Sequence, residues 1–185
     1  DGMTSFTRPN RPIDRVFLHC TASSYDHHDD IEVVRQWHLG RGWSDVGYHF
    51  MIHKDGSISA GRDLEKTPAA QKGHNKGTIA IAMHGGQDAK DDFSTKQIIA
   101  LRDFCEDIRN AYGGAITFHG HSEVVIRDCP VYDYKAYLKL APDGRMPPLR
   151  LEKQVIKKPP ARPEAEVKKP KRRWLNKMKA WLVDD

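Results

Sequence analysis

The sequence predicts an α/β domain, a mixed central β-sheet flanked by helices, and three observations carry that expectation. Four or five short apolar segments rich in β-branched and aromatic residues recur between residues 15 and 119. Two amphipathic stretches of helical period lie between them. Histidines fall at or just past the ends of the first and last of these segments.

Taken in order, RVFLHCT (15–21) is apolar enough for a buried strand. Ile31, Val34 and Trp37 repeat at helical spacing and predict a first helix. VGYHFMIH (46–53), followed by KDG and SISAG, reads as two strands joined by a tight turn. TIAIAMH (78–84) is apolar on both faces, as a central strand would be. Ile98, Leu101, Cys105 and Ile108 predict a longer helix that Ser94 begins, and AITFH (115–119) supplies the last strand. No internal repeat is visible.

Composition sets the limits. The chain has 185 residues, 38% hydrophobic and 30% charged, with a mean hydropathy of −0.69, which suits one soluble globular domain plus an appendage. No run of about 18 apolar residues exists to span a bilayer. The first thirty residues lack the apolar core of a secretory signal, so Sec export is not expected. Three cysteines, Cys20, Cys105 and Cys129, are too few and too odd in number for a disulfide framework and predict a reducing compartment.

Seven of the 11 prolines lie at or after Pro142, and no glycine follows Gly144. This shift predicts a catalytic body over 1–141, a Pro/Lys/Arg-rich linker over 142–170 and a separate segment over 171–185. Residues 150–185 hold 12 of the 30 Lys and Arg and 5 of the 25 Asp and Glu, a local charge of +7 that leaves −2 for the rest. In the last segment Trp174, Leu175, Met178, Trp181 and Leu182 form a helical apolar stripe among basic residues, which predicts a short cationic amphipathic helix. Such a helix suits anionic inner- or outer-membrane lipid. Nucleic acid is not the expected partner, because the basic strip carries no base-reading motif.

Ten histidines are many for this length, and their placement matters more than their number. His19 near the end of a strand, His121 just past another, and Cys129 eight residues later supply two imidazoles and a thiolate. Zinc (Zn2+) accepts that donor set and keeps a fourth position for water. His119, two residues before His121, competes for the same role. His27 and His28 precede two aspartates and read as a surface turn. His49 alternates away from Tyr48 and reads as a core or second-layer histidine. Cys20 should point away from His19, and Cys105 lies on an apolar helix face, so both read as buried thiols.

WHLGRGWSDVGYHFMIHKDGSI (37–58) resembles the signature of the zinc-dependent N-acetylmuramoyl-L-alanine amidases, which include amidase-type phage lysozymes and peptidoglycan recognition proteins. VFLHCTAS (16–23), GHNKGTIAIAMHGG (73–86) and GHSEVVIRDCP (120–130) agree in order and spacing, so the resemblance covers nearly all of residues 13–140. It implies an amidase/peptidoglycan-recognition-like fold, peptidoglycan as partner, and metal ligands at His19, His121 and Cys129. It also implies a catalytic tyrosine at Tyr48. A lysine of many phage members, two positions before the cysteine ligand, is replaced here by Arg127, which keeps the charge but will not titrate near neutral pH. Some relatives carry a glutamate base on the third strand, and Ala82 occupies that position. His74 and Asn75 match a segment bordering the cleft and imply substrate contact, while Trp37 and Trp43 suit either a sugar-peptide groove or the core.

The implied activity is that of an endolysin cleaving the amide between N-acetylmuramic acid and L-alanine. A monomer that collects in the host cytoplasm before lysis is expected. The alternative is a non-catalytic recognition or polymerase-inhibiting protein of the same fold. Loss of the cysteine ligand marks many non-catalytic relatives, and Cys129 is present here.

Overall fold

The computed structural model describes residues 5–148. The segment expected to be a cationic helix, 171–185, and residues 149–170 of the expected linker lie outside the described residues. Five strands form one sheet: β1 (Arg15–Cys20), β2 (Phe50–Ile52), β3 (Ile58–Ala60), β4 (Thr78–Met83) and β5 (Thr117–Gly120). Their order across the sheet is β3-β2-β4-β1-β5. β4 is the middle strand, flanked by β2 and β1 and parallel to both; β1 is also parallel to β5, and only the β2–β3 hairpin is antiparallel. The helices are α1 (Ile31–Leu39), α2 (Thr95–Ala111) and α3 (Tyr134–Leu138).

The two faces of the sheet do different work. Val16, Leu18 and Cys20 of β1, with Ile79, Ile81 and Met83 of β4, join Ile98, Leu101, Cys105 and Ile108 of α2 in the main core. Alternation then turns Phe17 and His19 to the opposite face, beside Ala80 and Ala82. On that side Met51 packs with Ile31 and Val34 of α1 in a smaller cluster. One face is thus closed by a long helix, while part of the other is left to the functional groups.

Local chemistry explains where the elements begin. The Asp30 side chain accepts a hydrogen bond from the Glu32 N–H at 2.8 Å and caps α1. At α2, Ser94 Oγ accepts from the Gln97 N–H at 3.1 Å and Gln97 Oε1 accepts from the Ser94 N–H at 2.9 Å. That reciprocal box satisfies two donors that the first turn leaves unpaired.

The strand expected over 46–53 is regular only at 50–52, and the reason is visible in its hydrogen bonds. The Gly47 N–H donates to His38 Nδ1 at 2.8 Å, and the Gly47 carbonyl accepts from the Ala69 N–H at 3.1 Å. These partners replace a β-ladder. They also require glycine, since a Cβ at position 47 would lie 2.3 Å from the Ala69 carbonyl oxygen. Packed structure continues beyond Ala141, inside the segment expected to be linker. Met146 is buried in the main core, its carbonyl accepts from Arg109 Nε at 2.8 Å, and the Gly144 carbonyl accepts from the Phe118 N–H at 2.8 Å. No helix among the described residues is long and apolar enough to cross a membrane.

Candidate metal centre

The centre lies at the carboxyl ends of the parallel strands, where α/β sheets commonly place their ligands. His19 is the penultimate residue of β1. Because Leu18 lies opposite Gly120, the next position on β5's path, His121, comes to the side of His19. Their rings sit 4.6 Å apart, centroid to centroid. Cys129 returns on the loop after the short turn at His121–Glu123, and all three residues are buried.

One potential ligand atom from each of His19, His121 and Cys129 falls within 4.8 Å of the others. Among the described residues no other such group of three occurs. His19 Nδ1 and Cys129 Sγ are 3.8 Å apart. Tetrahedral bonds of about 2.0 Å to nitrogen and about 2.3 Å to sulfur would put these donors about 3.5 Å apart, so the spacing fits zinc with a few tenths of an ångström to take up. The donor set fits as well, being two neutral imidazoles and one soft thiol.

The electrostatics agree with ligation by neutral rings. Burial, then the neighbouring His121, pushes His19 down to about 3. Burial and the Arg127 charge push His121 down to about 4. Both lone pairs therefore stay available across the neutral range. A hydrogen bond shared with Cys20, together with burial, pushes the Cys129 thiol up. A bound cation would reverse that preference, since coordination deprotonates a thiol.

The three candidate ligands are held from outside. The Cys20 N–H points at Cys129 Sγ at 3.4 Å, and Tyr132 Oη donates to the His19 carbonyl at 3.2 Å. His119 shares the sheet face but stands one residue pair lower, opposite Phe17, whose ring it meets at 5.4 Å. Its nitrogens engage Thr117 Oγ1 at 2.7 Å and Glu123 Oε2 at 2.8 Å, so it is outside the metal group. His49 is also committed elsewhere: Nδ1 accepts from the Ala80 N–H at 3.0 Å and Nε2 donates to the Lys66 carbonyl at 2.9 Å.

Tyr48 stands beside the centre, half-buried, with its ring 5.2 Å from that of His19 and 5.4 Å from that of His38. Burial pushes its phenol up, so it remains a hydrogen-bond donor at neutral pH. Ala82 is fully buried opposite His19, which leaves no carboxylate at that register. Arg127 is exposed on the loop 122–128, beside a depression of about 630 Å³. His74 is exposed. Asn75 is half-buried, and its Oδ1 accepts from the Ala70 N–H at 3.1 Å and the Gln71 N–H at 2.9 Å. Trp43 is 38% exposed and meets the His38 ring at 4.6 Å, while Trp37 packs beside the α1 cluster. His27 and His28 occupy a one-turn 3-10 helix, Asp26–His28, at the surface.

Two residues near the centre carry no signal that sequence reading picked out. His38 is buried on α1 and supplies the acceptor for the Gly47 N–H. Gln71 is fully buried, and its Oε1 lies 3.0 Å from His19 Nε2.

Comparison with known proteins defines the class. Residues 9–132 match the N-acetylmuramoyl-L-alanine amidase family, and the chain belongs to it. The endolysin of Klebsiella phage KP32 is 35% identical over 127 residues, covering 66% of this chain and 83% of that protein. Among solved structures, the endolysin amidase LysCS from Clostridium intestinale URNW superposes with a TM-score of 0.63 at 26% identity, over 70% of this chain and 84% of that one. The peptidoglycan recognition protein PGRP-SA of Apis mellifera gives 0.57 at 26% identity, over 71% and 84%. The mixed five-stranded sheet with its flanking helices is the fold of this family.

Proposed function

We propose that the chain is an endolysin-type, zinc-dependent amidase that hydrolyses the bond between N-acetylmuramic acid and the L-alanine of the stem peptide. The observation that carries the reading is the convergence of His19, His121 and Cys129 in one buried group of zinc-compatible spacing. Membership of the amidase family and the 35% identity to a phage endolysin give the substrate class. An intact ligand set favours catalysis over recognition alone.

When bound, zinc supplies a Lewis acid for the scissile carbonyl and lowers the pKa of water to about 7. The chain's own groups do the rest. Tyr48 is kept protonated by burial and donates a hydrogen bond to the oxyanion as it develops. Arg127 contributes positive charge from the exposed loop and either supports that oxyanion or holds a substrate carboxylate. His74 and Asn75 border the cleft on the neighbouring loop and contact the substrate. Ala82, opposite His19, supplies no carboxylate base at that register. The basic segment 150–185, with its net +7, adds contact with anionic lipid. The enzyme acts as a monomer on the cell wall, after accumulating in the host cytoplasm.

The test pairs metal analysis with product chemistry. One zinc per chain, loss of sacculus hydrolysis with a strong chelator, and new L-alanine amino termini are expected. Cys129→Ser should lose zinc and activity, whereas Cys105→Ser, buried in the α2 core, should keep the metal. Full activity in metal-free protein would overturn the mechanism.

A further inference from the structure

We propose that Gln71 is a positioning residue that fixes the tautomer of His19, holding Nε2 protonated and presenting the bare Nδ1 to His121 and Cys129. The inference deepens the zinc reading and rests on it for its functional meaning. Its geometry stands on hydrogen bonds already present in the chain.

The argument starts from a group whose polarity is not in question. The Asn75 carbonyl oxygen can only accept, and Thr78 Oγ1 lies 2.7 Å from it and donates. That bond uses the single proton of the hydroxyl, so toward any other partner Thr78 Oγ1 must accept. Gln71 lies 2.7 Å away on that side and therefore turns its NH2 group to Thr78. The carboxamide oxygen is thereby aimed the other way, at His19 Nε2, 3.0 Å distant. An oxygen there requires a ring N–H. His19, neutral in its buried setting, has one proton for two nitrogens, so Nδ1 is left with its lone pair facing Cys129.

Each link is protected from water and fixed in place. Gln71 and Thr78 are fully buried, and His19 is 1% exposed. The loop carrying Gln71 is tied by Asn75 Oδ1, which accepts the Ala70 and Gln71 N–H groups, and by the His74 N–H, which donates to the Gln71 carbonyl at 2.8 Å. One asparagine thus sets the loop with its side chain and starts the relay with its carbonyl. The orientation of an amide cannot be read from its shape, but here the chain of donors admits one direction.

The consequence concerns metal binding. A histidine in the wrong tautomer offers N–H where the metal needs a lone pair, and correcting it would leave a buried N–H without a partner. Partners of this kind, removed from metal-ligating histidines, typically cost about 10- to 100-fold in affinity. Gln71→Leu should raise the zinc dissociation constant by about that factor. Thr78→Val keeps the shape at 78 but removes the acceptor, freeing the carboxamide to turn over and drive His19 to the opposite tautomer.

The test uses 15N-labelled full chain in two forms. In metal-free protein, long-range 1H–15N spectra of the imidazoles should show His19 protonated at Nε2 in the parent, and shifted toward Nδ1 in Gln71→Leu and Thr78→Val. His49 is the internal control, because its own bonds to Ala80 and Lys66 fix it separately and should not change. Zinc competition titrations on the same samples give the affinities. A folded Gln71→Leu with the parent's His19 tautomer and the parent's zinc affinity would overturn the proposal. Should Gln71→Leu fail to fold, Thr78→Val decides by the same two readouts. A parent that binds no zinc would defeat the metal reading instead, while the tautomer comparison would still decide the role of Gln71.

Discussion

Gly120 joins His121 to β5, and adding one methyl group there tests how tightly the two halves of the ligand set are pressed together. A Cβ at this position would lie 2.6 Å from Tyr134 Cε1 and 2.9 Å from Pro130 Cδ, against 3.4 Å or more for an ordinary contact. The backbone itself would tolerate alanine, since φ is −93° and ψ is 150°. Replacing glycine at a compatible position normally stabilises by about 0.4–1 kcal/mol. Any loss therefore measures the steric overlap of roughly half an ångström or more. Overpacking of this degree costs about 1–3 kcal/mol, and for a chain of this length each kcal/mol lowers Tm by about 2–4 °C. The strain falls between His121, which follows Gly120, and Pro130, which follows Cys129. Displacements near 0.5 Å reach the tolerance of a preorganised site. Gly120→Ala should thus lower Tm by about 2–12 °C and weaken zinc binding by on the order of tenfold, or about 1.4 kcal/mol. Thermal melts by circular dichroism and zinc competition titrations give both numbers. Gly40→Ala is the control: φ is −63°, the nearest contact is the Gln36 carbonyl at 3.3 Å, and a change within about 0.5 kcal/mol is expected. A Gly120→Ala protein with the parent's Tm and zinc affinity would refute the steric argument.

Acid sensitivity follows from two buried histidines that are not part of the candidate metal group. Burial pushes His38 and His49 down to about 4 from an ordinary value of 6.5, so the unfolded chain takes up protons first as pH falls. Stability is full above about pH 6.5 and declines toward pH 4, by about 2 kcal/mol per residue at pH 5, or about 4 kcal/mol for the pair. Urea titrations at pH 7.5 and 5 measure it, and equal unfolding free energies would remove both histidines from the account. At the centre, Tyr48→Phe keeps the ring against His19 and His38 while deleting the donor. Zinc content should be unchanged and turnover on sacculi down by on the order of 10²-fold, and unaltered turnover would take Tyr48 out of the mechanism.

What was legible in the sequence divides along a physical line. Strands buried on both faces announce themselves by composition, and RVFLHCT and TIAIAMH became β1 and β4, the pair with the longest register. α2 was equally plain, because its apolar period and its Ser94 cap agree. The chemistry of zinc ligands offers His19, His121 and Cys129 as a set and the family resemblance selects it, but periodicity alone does not separate His121 from His119, two residues apart at the end of β5. Register separates them: His119 is level with Phe17, and His121 follows Gly120, which is level with Leu18. The five-residue helix α3 gives no sequence signal, because one turn of DYKAYL carries too little apolar repeat to stand out.

Gln71 marks the other side of that line. In TPAAQKGHNKG it looks like one more polar residue of a surface loop, and neither spacing nor residue type distinguishes it from Lys72 beside it. Its burial is imposed by long-range structure, when Gly47 lets the Ala69 carbonyl approach the backbone beside Tyr48 and the loop settles over His19. The candidate ligands of this centre can be named from sequence, because residue chemistry offers the set and the family resemblance selects it. Their orientation depends on which loop crosses them and on a carbonyl, a hydroxyl and a carboxamide in series, and such an order of donors exists only once the chain has folded.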